Sequence, residues 1–461
     1  ESVKRGLPLE NFFFAGVNLF NYHFFYDLLL GVTSVLTRIS GSDLYFRQFP
    51  ILISFFIGLV AFYLAKNWFK SEMAVNLSLF FLYFGGSFGW IVSFIKDRSF
   101  GGETLFWAQQ GVSTLINPPF VISLLIFLAG LYLFQKLLGQ KDQLVNLTIP
   151  LTVLWGSLIE FKVYVGILVL IGLLLATIFE ILNKNFSFLK LSLPIFILSA
   201  IIFLPNNFGS NSLLVFQPFW LIHSMVDSAD RLNWVRLSNA RILGLDSGNY
   251  FKFATAEIIG FLVFIFGNLG TRFFGFFTLI SFRNLNTFTV FLLSFLFSSL
   301  VLPMLFLQKG AGFNIVQFFY YFLLIFNFLA AASLAYLARK FSWILILAAI
   351  FLTLPTTWDS LHHFLPVRPP AMIPAGEVEG LHFLRNQSDG IVLSYYFSIR
   401  EHEKFGPPQP LFAYQSTPYV SAFSGKPEFI ADTVNLEILG IDYKGRYQIQ
   451  KDVFLMREPE M

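Results

Sequence analysis

The chain has 461 residues, of which 56% are hydrophobic and only 13% are charged, and its formal net charge is +4. A soluble globular protein carries about 25% charged residues, so this composition excludes an ordinary soluble domain. The positive charge comes mostly from Lys and Arg in loops, which is typical of the cytoplasmic loops of membrane proteins and argues against nucleic-acid binding. Cysteine is absent, which excludes disulfide bonds and thiolate metal sites.

Residues 1–47 form an aromatic outer segment that contains several polar side chains. The most distinctive part is "PLENFFFAGVNLFNYHFFYD", residues 8–27. We predict a helix at about 19–38 that lies along the outer membrane face, because a full crossing would turn the later basic loops outward. His23 and Asp27 are spaced i, i+4 and would share one face of that helix. The first ten residues contain no initiator Met and no apolar signal segment, so we expect the chain to begin within a longer protein.

Ten apolar segments follow, and we interpret them as membrane-spanning helices. They lie at about residues 48–66, 72–95, 117–138, 145–160, 162–183, 188–205, 252–280, 287–307, 313–337 and 341–356. Their continuous apolar runs are unlike the alternating strands of a membrane β-barrel. Residues 48–356 are therefore predicted to form an all-α polytopic membrane domain.

The loops of this predicted bundle alternate in charge. One set is short and basic, and it contains Lys66, Lys70, Lys136, Lys141, Lys184, Lys190, Arg283, Arg339 and Lys340. The other set is long, mixed in charge and rich in Trp, and it comprises 96–116, 206–251 and the region after residue 357. By the positive-inside rule, the basic set faces the cytoplasm and the second set lies outside the inner membrane of a bacterium.

Residues 357–461 change character, because charged residues and Pro become more frequent. The stretch "AGEVEGLHFLRNQS" predicts an amphipathic helix with Val378, Leu381 and Leu384 on one side. The stretch "GIVLSYYFS" predicts a buried strand. We interpret this tail as a small extracytoplasmic α/β domain.

Polar residues gather at the predicted outer face, and the first group lies in the opening segment. Glu10, Asn11, His23 and Asp27 have two interpretations. They form either the polar wall of an active-site groove, which would help to hold a divalent cation through oxygen ligands, or hydrogen-bonded members of an interfacial aromatic belt.

The second group lies in outer turns of the membrane domain. Glu160 and Lys162 separate two long apolar runs, where ionisable residues are costly, so they are either site residues that meet a lipid phosphate or solvated charges in a tight turn. Arg231 and Arg241, with Arg236 between them, are either ligands of a phosphate head group or charges on a solvated loop helix.

Two further segments are candidates for substrate contact. Gln317 follows the glycine-rich entry "KGAGFN" to a span, so it either lines a substrate groove or belongs to the polar end of the helix. Residues 98–118 form an outer loop too apolar to be fully solvated, and they are either a re-entrant cover over a groove or an ordered loop without substrate contact. The sequence contains no Walker A, GxGxxG, HExxH or GxSxG motif.

Several stretches together resemble the GT-C superfamily of polytopic glycosyltransferases. They are "PLENFFFAGVNLFNYHFFYDLLLGV", "FRQFPILISFFIGLVAFYLAKNWF", the "EFKVY" turn, "NIVQFFYYFLL" and "NLEILGIDYKGR" near the end. The likeness is strongest to the bacterial branch of lipopolysaccharide-core transferases, aminoarabinose transferases and protein O-mannosyltransferases.

This resemblance implies an enzyme that transfers a sugar from a polyprenyl-phosphate donor to a lipid, glycan or protein acceptor at the outer face of the membrane. It implies supporting acidic roles for Asp27 and Glu10, phosphate contacts for Lys162, Arg231 and Arg241, and sugar or acceptor contacts for His23 and Gln317. Asn11 and Glu160 would complete the binding groove, and a divalent metal, Mg²⁺ or Mn²⁺, would assist. In that family the main catalytic carboxylate precedes the stretch that matches 1–27, so this chain is expected to lack it.

Two other classes of function are compatible with the sequence. A transporter or lipid-carrier flippase would need polar groups near the middle of the membrane, especially in broken helices, and the spans at 252–280 and 287–307 carry few of them. A non-catalytic membrane scaffold whose tail binds partners is the third possibility.

Overall fold

The computed structural model describes residues 2–6, 8–102, 104–107, 117–139, 144–207, 214–282, 284–308 and 312–455. Over these residues the protein is an all-α polytopic membrane protein with few strands, as the sequence predicted. Parts of the loops at 96–116 and 206–251, residues 309–311 of the entry "KGAGFN" and residues 456–461 lie outside the described residues.

Helices occupy most of the described chain. Up to residue 203 they are α1 (Ser2–Arg5), α2 (Phe25–Thr37), α3 (Gly41–Asp43), α4 (Phe49–Trp68), α5 (Glu72–Phe84), α6 (Gly89–Asp97), α7 (Pro118–Gly139), α8 (Leu144–Phe161), α9 (Val163–Leu182) and α10 (Leu189–Phe203). The later ones of the membrane domain are α11 (Trp220–Asp227), α12 (Val235–Asp246), α13 (Tyr250–Leu269), α14 (Gly275–Ile280), α15 (Thr287–Leu305), α16 (Gln317–Lys340) and α17 (Ile344–Phe364). The tail contains α18 (Ala375–Arg385), α19 (Ile399–Lys404), α20 (Tyr419–Ser424), α21 (Thr433–Leu439) and α22 (Lys444–Leu455).

Strands are short and come in two pairs. The antiparallel pair joins β1 (Leu214–Phe216) to β2 (Phe306–Gln308), and the parallel pair joins β3 (Ala371–Met372) to β4 (Gln409–Pro410). Single turns of other helix types extend several α-helices. They are a π-helical turn at Leu44–Gln48 and 3₁₀ turns at Phe186–Phe188, Leu204–Asn206, Gly270–Phe274, Gly312–Val316 and Leu411–Ala413.

Eight continuous helices among the described residues are long and apolar enough to cross a membrane, and the bent pair α5–α6 makes up to nine. The remaining one of the ten segments expected from the sequence lies at 145–160. It forms the apolar helix α8, which packs against α7, α9 and α10. Helix α2 is too short to count as a span. Helix α16 is the centre of the bundle, since nearly all of its residues are buried.

Contacts between helix ends divide the bundle into a basic end and a polar end. At the basic end the Asn67 side chain donates a hydrogen bond to Gln135 at 3.0 Å, which joins the ends of α4 and α7 beside Lys66 and Lys136. At the polar end Tyr164 Oη donates to Gln308 Oε1 at 2.9 Å, which joins the start of α9 to β2. The two sets of loops predicted from charge therefore lie at opposite ends of these helices.

The tail is mainly helical. Helix α18 confirms the predicted amphipathic helix, with Leu381 buried. The predicted strand in "GIVLSYYFS" is wrong, because that stretch forms only one bridge, between Val392 and Glu428. The adjacent Pro427 accepts a hydrogen bond from Val392 but has no N–H to extend the ladder.

Part of the opening segment packs into the tail rather than along the membrane. The Ala15 N–H donates to the Glu428 carbonyl at 2.9 Å, and the Glu428 N–H donates to the Phe12 carbonyl at 2.8 Å. Phe14 is buried with Ile430 and Leu436 in a small apolar core. The tail and residues 10–18 therefore share one core at the polar end.

The predicted juxtamembrane helix is present but shorter than expected. It begins at Phe25, so His23 precedes it and does not share a helical face with Asp27. Asn21 has a positive φ of 56°, which lies outside the range of a right-handed helix. A helix therefore cannot run through Asn21, and it begins later in the chain.

Candidate functional site

Lys162 occupies the tip of a sharp reversal between α8 and α9. A methyl group on Gly166 would lie 2.5 Å from the Cα of Ile159. In a continuous helix these two residues would be about 10 Å apart along the axis, so the chain must turn back at Lys162. Lys162 itself has extended backbone angles, and its N–H and carbonyl bond to Leu158 and Gly166. The reversal fixes a lysine between two apolar helices at the polar end.

The Lys162 ammonium group is buried, since the residue is only 5% exposed. Its Nζ lies 3.4 Å from Nε2 of His23 and 5.7 Å from the centre of the Tyr164 ring. Burial lowers the pKa of Lys162 to about 7. Burial, and then the charge of Lys162, lower the pKa of His23 well below its ordinary value, so a neutral imidazole faces the ammonium group. Near neutral pH the lysine is therefore charged in only part of the molecules, and an anion that binds beside it would favour its charged form.

Glu160 lies two residues before this lysine and is completely buried. Neither carboxyl oxygen has a hydrogen-bond partner among the described residues. The backbone N–H of Phe24 lies near enough to interact weakly with the carboxyl group. An acid left in this state is costly, which is a mark of a functional position rather than of a packing one.

Asp27 lies in the first turn of α2, beside Tyr22. Burial raises the pKa of Asp27 to about 6, and the nearby Tyr22 hydroxyl offsets part of that rise. The second carboxyl oxygen of Asp27 is buried without a partner among the described residues. A carboxyl group in this state is suited to accept a proton near neutral pH.

The polar end of the bundle also holds other hydrogen-bonded polar side chains. Asn117 Nδ2 donates to Gln317 Oε1 at 3.3 Å, so Gln317 is buried at the start of α16 and is tied to α7. Tyr164 and Gln308, joined as described above, lie on the α9 side of the lysine. The sequence analysis missed Tyr22, Tyr164 and Gln308, because neither tyrosines nor glutamines stand out in an aromatic membrane chain.

The structure places Glu10 and Asn11 in the part of the opening segment that packs on the tail. Glu10 pairs with Asn18 in a short bridge. Asn11 is fully buried, and its Oδ1 accepts a hydrogen bond from the Phe13 N–H at 3.1 Å. Asn11 thus shapes the turn that carries the segment into the tail.

Arg231 and Arg241 already interact with other protein groups. The Arg231 guanidinium donates to the Thr104 carbonyl at 2.6 Å and lies 3.5 Å above the Trp107 ring. Arg241 forms a salt bridge with Asp227 at 2.6 Å. Both contacts hold loop segments together, and a phosphate ligand would have to compete with them.

A second polar cluster lies inside the bundle, where two broken helices cross. The break between α5 and α6 contacts the break between α13 and α14, and a methyl group on Gly270 would lie 2.4 Å from the Gly86 carbonyl oxygen. The fully buried Arg272 donates to the carbonyls of Leu269 at 2.9 Å, Asn268 at 2.8 Å and Gly86 at 3.3 Å. The expectation that this span carries few polar groups is therefore wrong at its break.

The crossing lies near the middle of the membrane. Thr271 and Thr353 share a hydrogen bond between their hydroxyl groups. Thr353 is nine residues from Ile344, where α17 begins at the basic end, which places it about 14 Å along the helix axis. A hydrocarbon core is about 30 Å thick, so Arg272 lies near its centre.

The expected divalent metal stays a prediction, because the part of the chain that the structure describes contains no cluster of acidic or imidazole ligands that identifies its site. No group of three His, Asp or Glu side chains there could hold a metal ion. Asp27 lies in α2 and Glu160 in α8. The chemistry proposed below therefore uses only protein side chains.

Comparison with known proteins adds no family. The chain matches no protein-family model, and a search of curated proteins gives no match. The architecture and the geometry at Lys162 are the basis for any statement about function.

Proposed function

We propose that this integral membrane protein is a glycosyltransferase that moves a sugar from a polyprenyl-phosphate donor to an acceptor at the polar end of the bundle. One observation carries the proposal: a buried lysine at the tip of a helix reversal faces a neutral histidine at 3.4 Å, and carboxyl groups with buried oxygens lie close by in the chain, Glu160 before the lysine and Asp27 after the histidine. The lysine offers a cation for a phosphate, and a carboxyl group offers a base for a hydroxyl. The GT-C resemblance of the sequence adds support.

The carboxyl group of Asp27 and the ammonium group of Lys162 have different roles in the reaction. An unpaired oxygen of Asp27 accepts the proton of an acceptor hydroxyl as that oxygen forms a bond to the anomeric carbon. The bond between that carbon and the phosphate oxygen breaks, and its electron pair leaves with the polyprenyl phosphate. Lys162 meets the negative charge that develops on the phosphate, in a setting where burial strengthens the interaction. His23, Gln317 and Glu160 contact sugar or acceptor hydroxyls.

The proposal is tested with the reconstituted full chain and a panel of polyprenyl-phosphate sugars. Transfer is measured as labelled sugar in product together with released polyprenyl phosphate. We expect Lys162→Ala to lower transfer by about tenfold or more, because a hydrogen bond to a charged group is lost. The matched control is Lys190→Ala, which removes an exposed lysine at the basic end. Equal rates in both variants would remove Lys162 from the site.

A second function, transport of a lipid-linked or soluble solute, is favoured by the crossing of two broken helices at Arg272. Discontinuous helices near the middle of the membrane form substrate sites in transporters. Here, however, the guanidinium group is already bonded to three carbonyls, and the glycine contacts leave no space at the crossing. We therefore rank transport second. Movement of sugar-lipid across vesicles without any glycosidic product would reverse this order.

A further inference from the structure

A short connector joins the tail to the site. Residues 19–24, which we call the strap, have no regular secondary structure, and Asn21 within them has a left-handed backbone. The strap follows the segment at 10–18 that packs in the tail, and it precedes α2, which packs on the bundle. It carries Tyr22 and His23 to Asp27 and Lys162.

The tail holds the first end of the strap. Besides the backbone bonds of Ala15 and Phe12 to Glu428, the Arg446 guanidinium donates to the Ala15 carbonyl at 2.7 Å and stacks 4.0 Å above the Phe14 ring. The Glu428 carboxylate accepts two hydrogen bonds from Ser421 and therefore fixes this junction within the tail. Any displacement of the tail must carry the start of the strap with it.

Two asparagines tie the middle of the strap. Asn206, at the end of α10, accepts a backbone hydrogen bond from Asn21 at 3.0 Å and donates its side-chain amide to the Tyr22 carbonyl at 2.7 Å. The Asn21 side chain donates to the carbonyl of Leu439 in the tail at 3.3 Å. The strap is thus bound to the bundle through Asn206 and to the tail through the side chain of Asn21.

The strap covers the lysine. A phosphate oxygen bound to an ammonium group lies about 2.7–2.9 Å from the nitrogen. His23 Nε2 already lies 3.4 Å from Lys162 Nζ, and only 5% of the lysine is exposed. His23 therefore takes up one side of the ammonium group and restricts the approach of a phosphate to Lys162 while it keeps this position.

We propose that the strap is a gate that admits a phosphate-bearing ligand to Lys162 when residues 19–24 leave their place, and that its tie to the tail controls this opening. The identity of the ligand rests on the proposed function, whereas the opening itself does not. In the closed state the neutral imidazole occupies the ligand position and shields the ammonium group. Weakening either asparagine tie opens the gate, and ligand binding holds it open.

The first test needs no ligand and uses the absence of cysteine. In the full chain carrying Lys162→Cys, the rate of maleimide alkylation reports access to that position. Asn21→Gly removes the tie to Leu439 and suits the positive φ, and Asn206→Ala removes the tie to Tyr22. Each should raise the alkylation rate about three- to tenfold, the effect of one lost hydrogen bond.

The matched control is Asn207→Ala, because among the described residues that side chain bonds only to the Phe203 carbonyl, four positions earlier, at 2.9 Å. It should leave the rate unchanged. Equal alkylation rates in the Asn21, Asn206 and Asn207 variants would overturn the gate. Circular dichroism and a thermal melt on each variant confirm that a faster rate does not come from unfolding.

The second test follows the strap in a protein that keeps Lys162. A nitroxide label is attached at Phe20→Cys, a position on the strap that is 49% exposed. Geranyl phosphate should increase the motion of this label, and it should have no effect when Lys162→Met is added. Thermal stabilisation by geranyl phosphate without a change in label motion would overturn the gate and leave the proposed function standing. Raised alkylation rates in the Asn21 and Asn206 variants, together with no sugar transfer by the protein that keeps Lys162, would support the gate and contradict the proposed function.

Discussion

At the scale of single residues, the sequence located the cationic centre but not its surroundings. Glu160 and Lys162 could be predicted because ionisable side chains between two apolar runs are costly. The partner of Lys162 is His23, which lies 139 positions earlier in the chain, and such long-range pairs leave no local pattern. Arg231 and Arg241 have the charge for a phosphate site, yet an aromatic ring and a carboxylate engage them. Residue type alone cannot reveal such competition.

The raised pKa of Asp27 gives a prediction for pH dependence. If Asp27 accepts the proton, it must be ionised, so transfer should fall as pH drops through about 6 rather than through the ordinary range of a carboxyl group. Tyr22→Phe removes the hydroxyl that favours the ionised form and should move this limb to higher pH. The measurement is the pH profile of transfer for the wild type, Tyr22→Phe and Asp27→Glu.

The same shift has a consequence for stability that does not depend on activity. Because the pKa of Asp27 is higher in the folded protein than in the unfolded chain, the folded state binds more protons, and its stability falls as pH rises from about 4 to about 6. Asp27→Asn should therefore melt at a higher temperature than the wild type at pH 7.5, with the difference vanishing near pH 4. A lower melting temperature for the variant at both pH values would contradict the assignment.

At the scale of elements, helices were predictable and their interruptions were not. Continuous apolar runs indicate spans because lipid offers no partner to a free backbone group. The same runs hide breaks when the chain itself supplies the partners. At Gly270 and Gly86 the broken ends meet, and Arg272 satisfies three of their carbonyls. The strand predicted near Val392 did not form because Pro427, in the facing segment, has no N–H to extend the ladder.

The crossing predicts a large loss of stability on removal of Arg272. Arg272→Ala leaves three carbonyls without a donor near the middle of the membrane, so it should lower the thermal stability of the detergent-solubilised protein far more than a surface change. Arg272→Lys keeps the charge but loses the planar arrangement of donors. Its thermal stability should therefore lie between that of Arg272→Ala and that of the wild type. Differential scanning fluorimetry of both variants, with Lys190→Ala as control, provides the comparison. A stable Arg272→Lys protein that has lost solute uptake would instead support transport.

At the scale of the whole molecule, the alternation of loop charge correctly separates the two ends of the bundle. Asn67 and Gln135 join helix ends beside the basic loops, whereas Tyr164 and Gln308 meet at the end that also holds Lys162. Sequence could not show that residues 10–18 would leave the membrane domain and enter the core of the tail. That pairing spans more than 400 positions, and the aromatic composition of the segment suits lipid as well as a protein core.

The two ends of the bundle should lie on opposite sides of the membrane. Basic loops remain in the cytoplasm, so the tail, which is bound to the polar end through residues 10–18 and the strap, should face away from it. A phosphatase that is active only outside the cytoplasm, fused after Met461, should be active, and the same enzyme inserted between Leu182 and Phe186 should be inactive. The second fusion is the control, because the two sites lie at opposite ends of the same bundle. Activity of the inner fusion alone would place Lys162 and the tail in the cytoplasm and would contradict a site that faces outward.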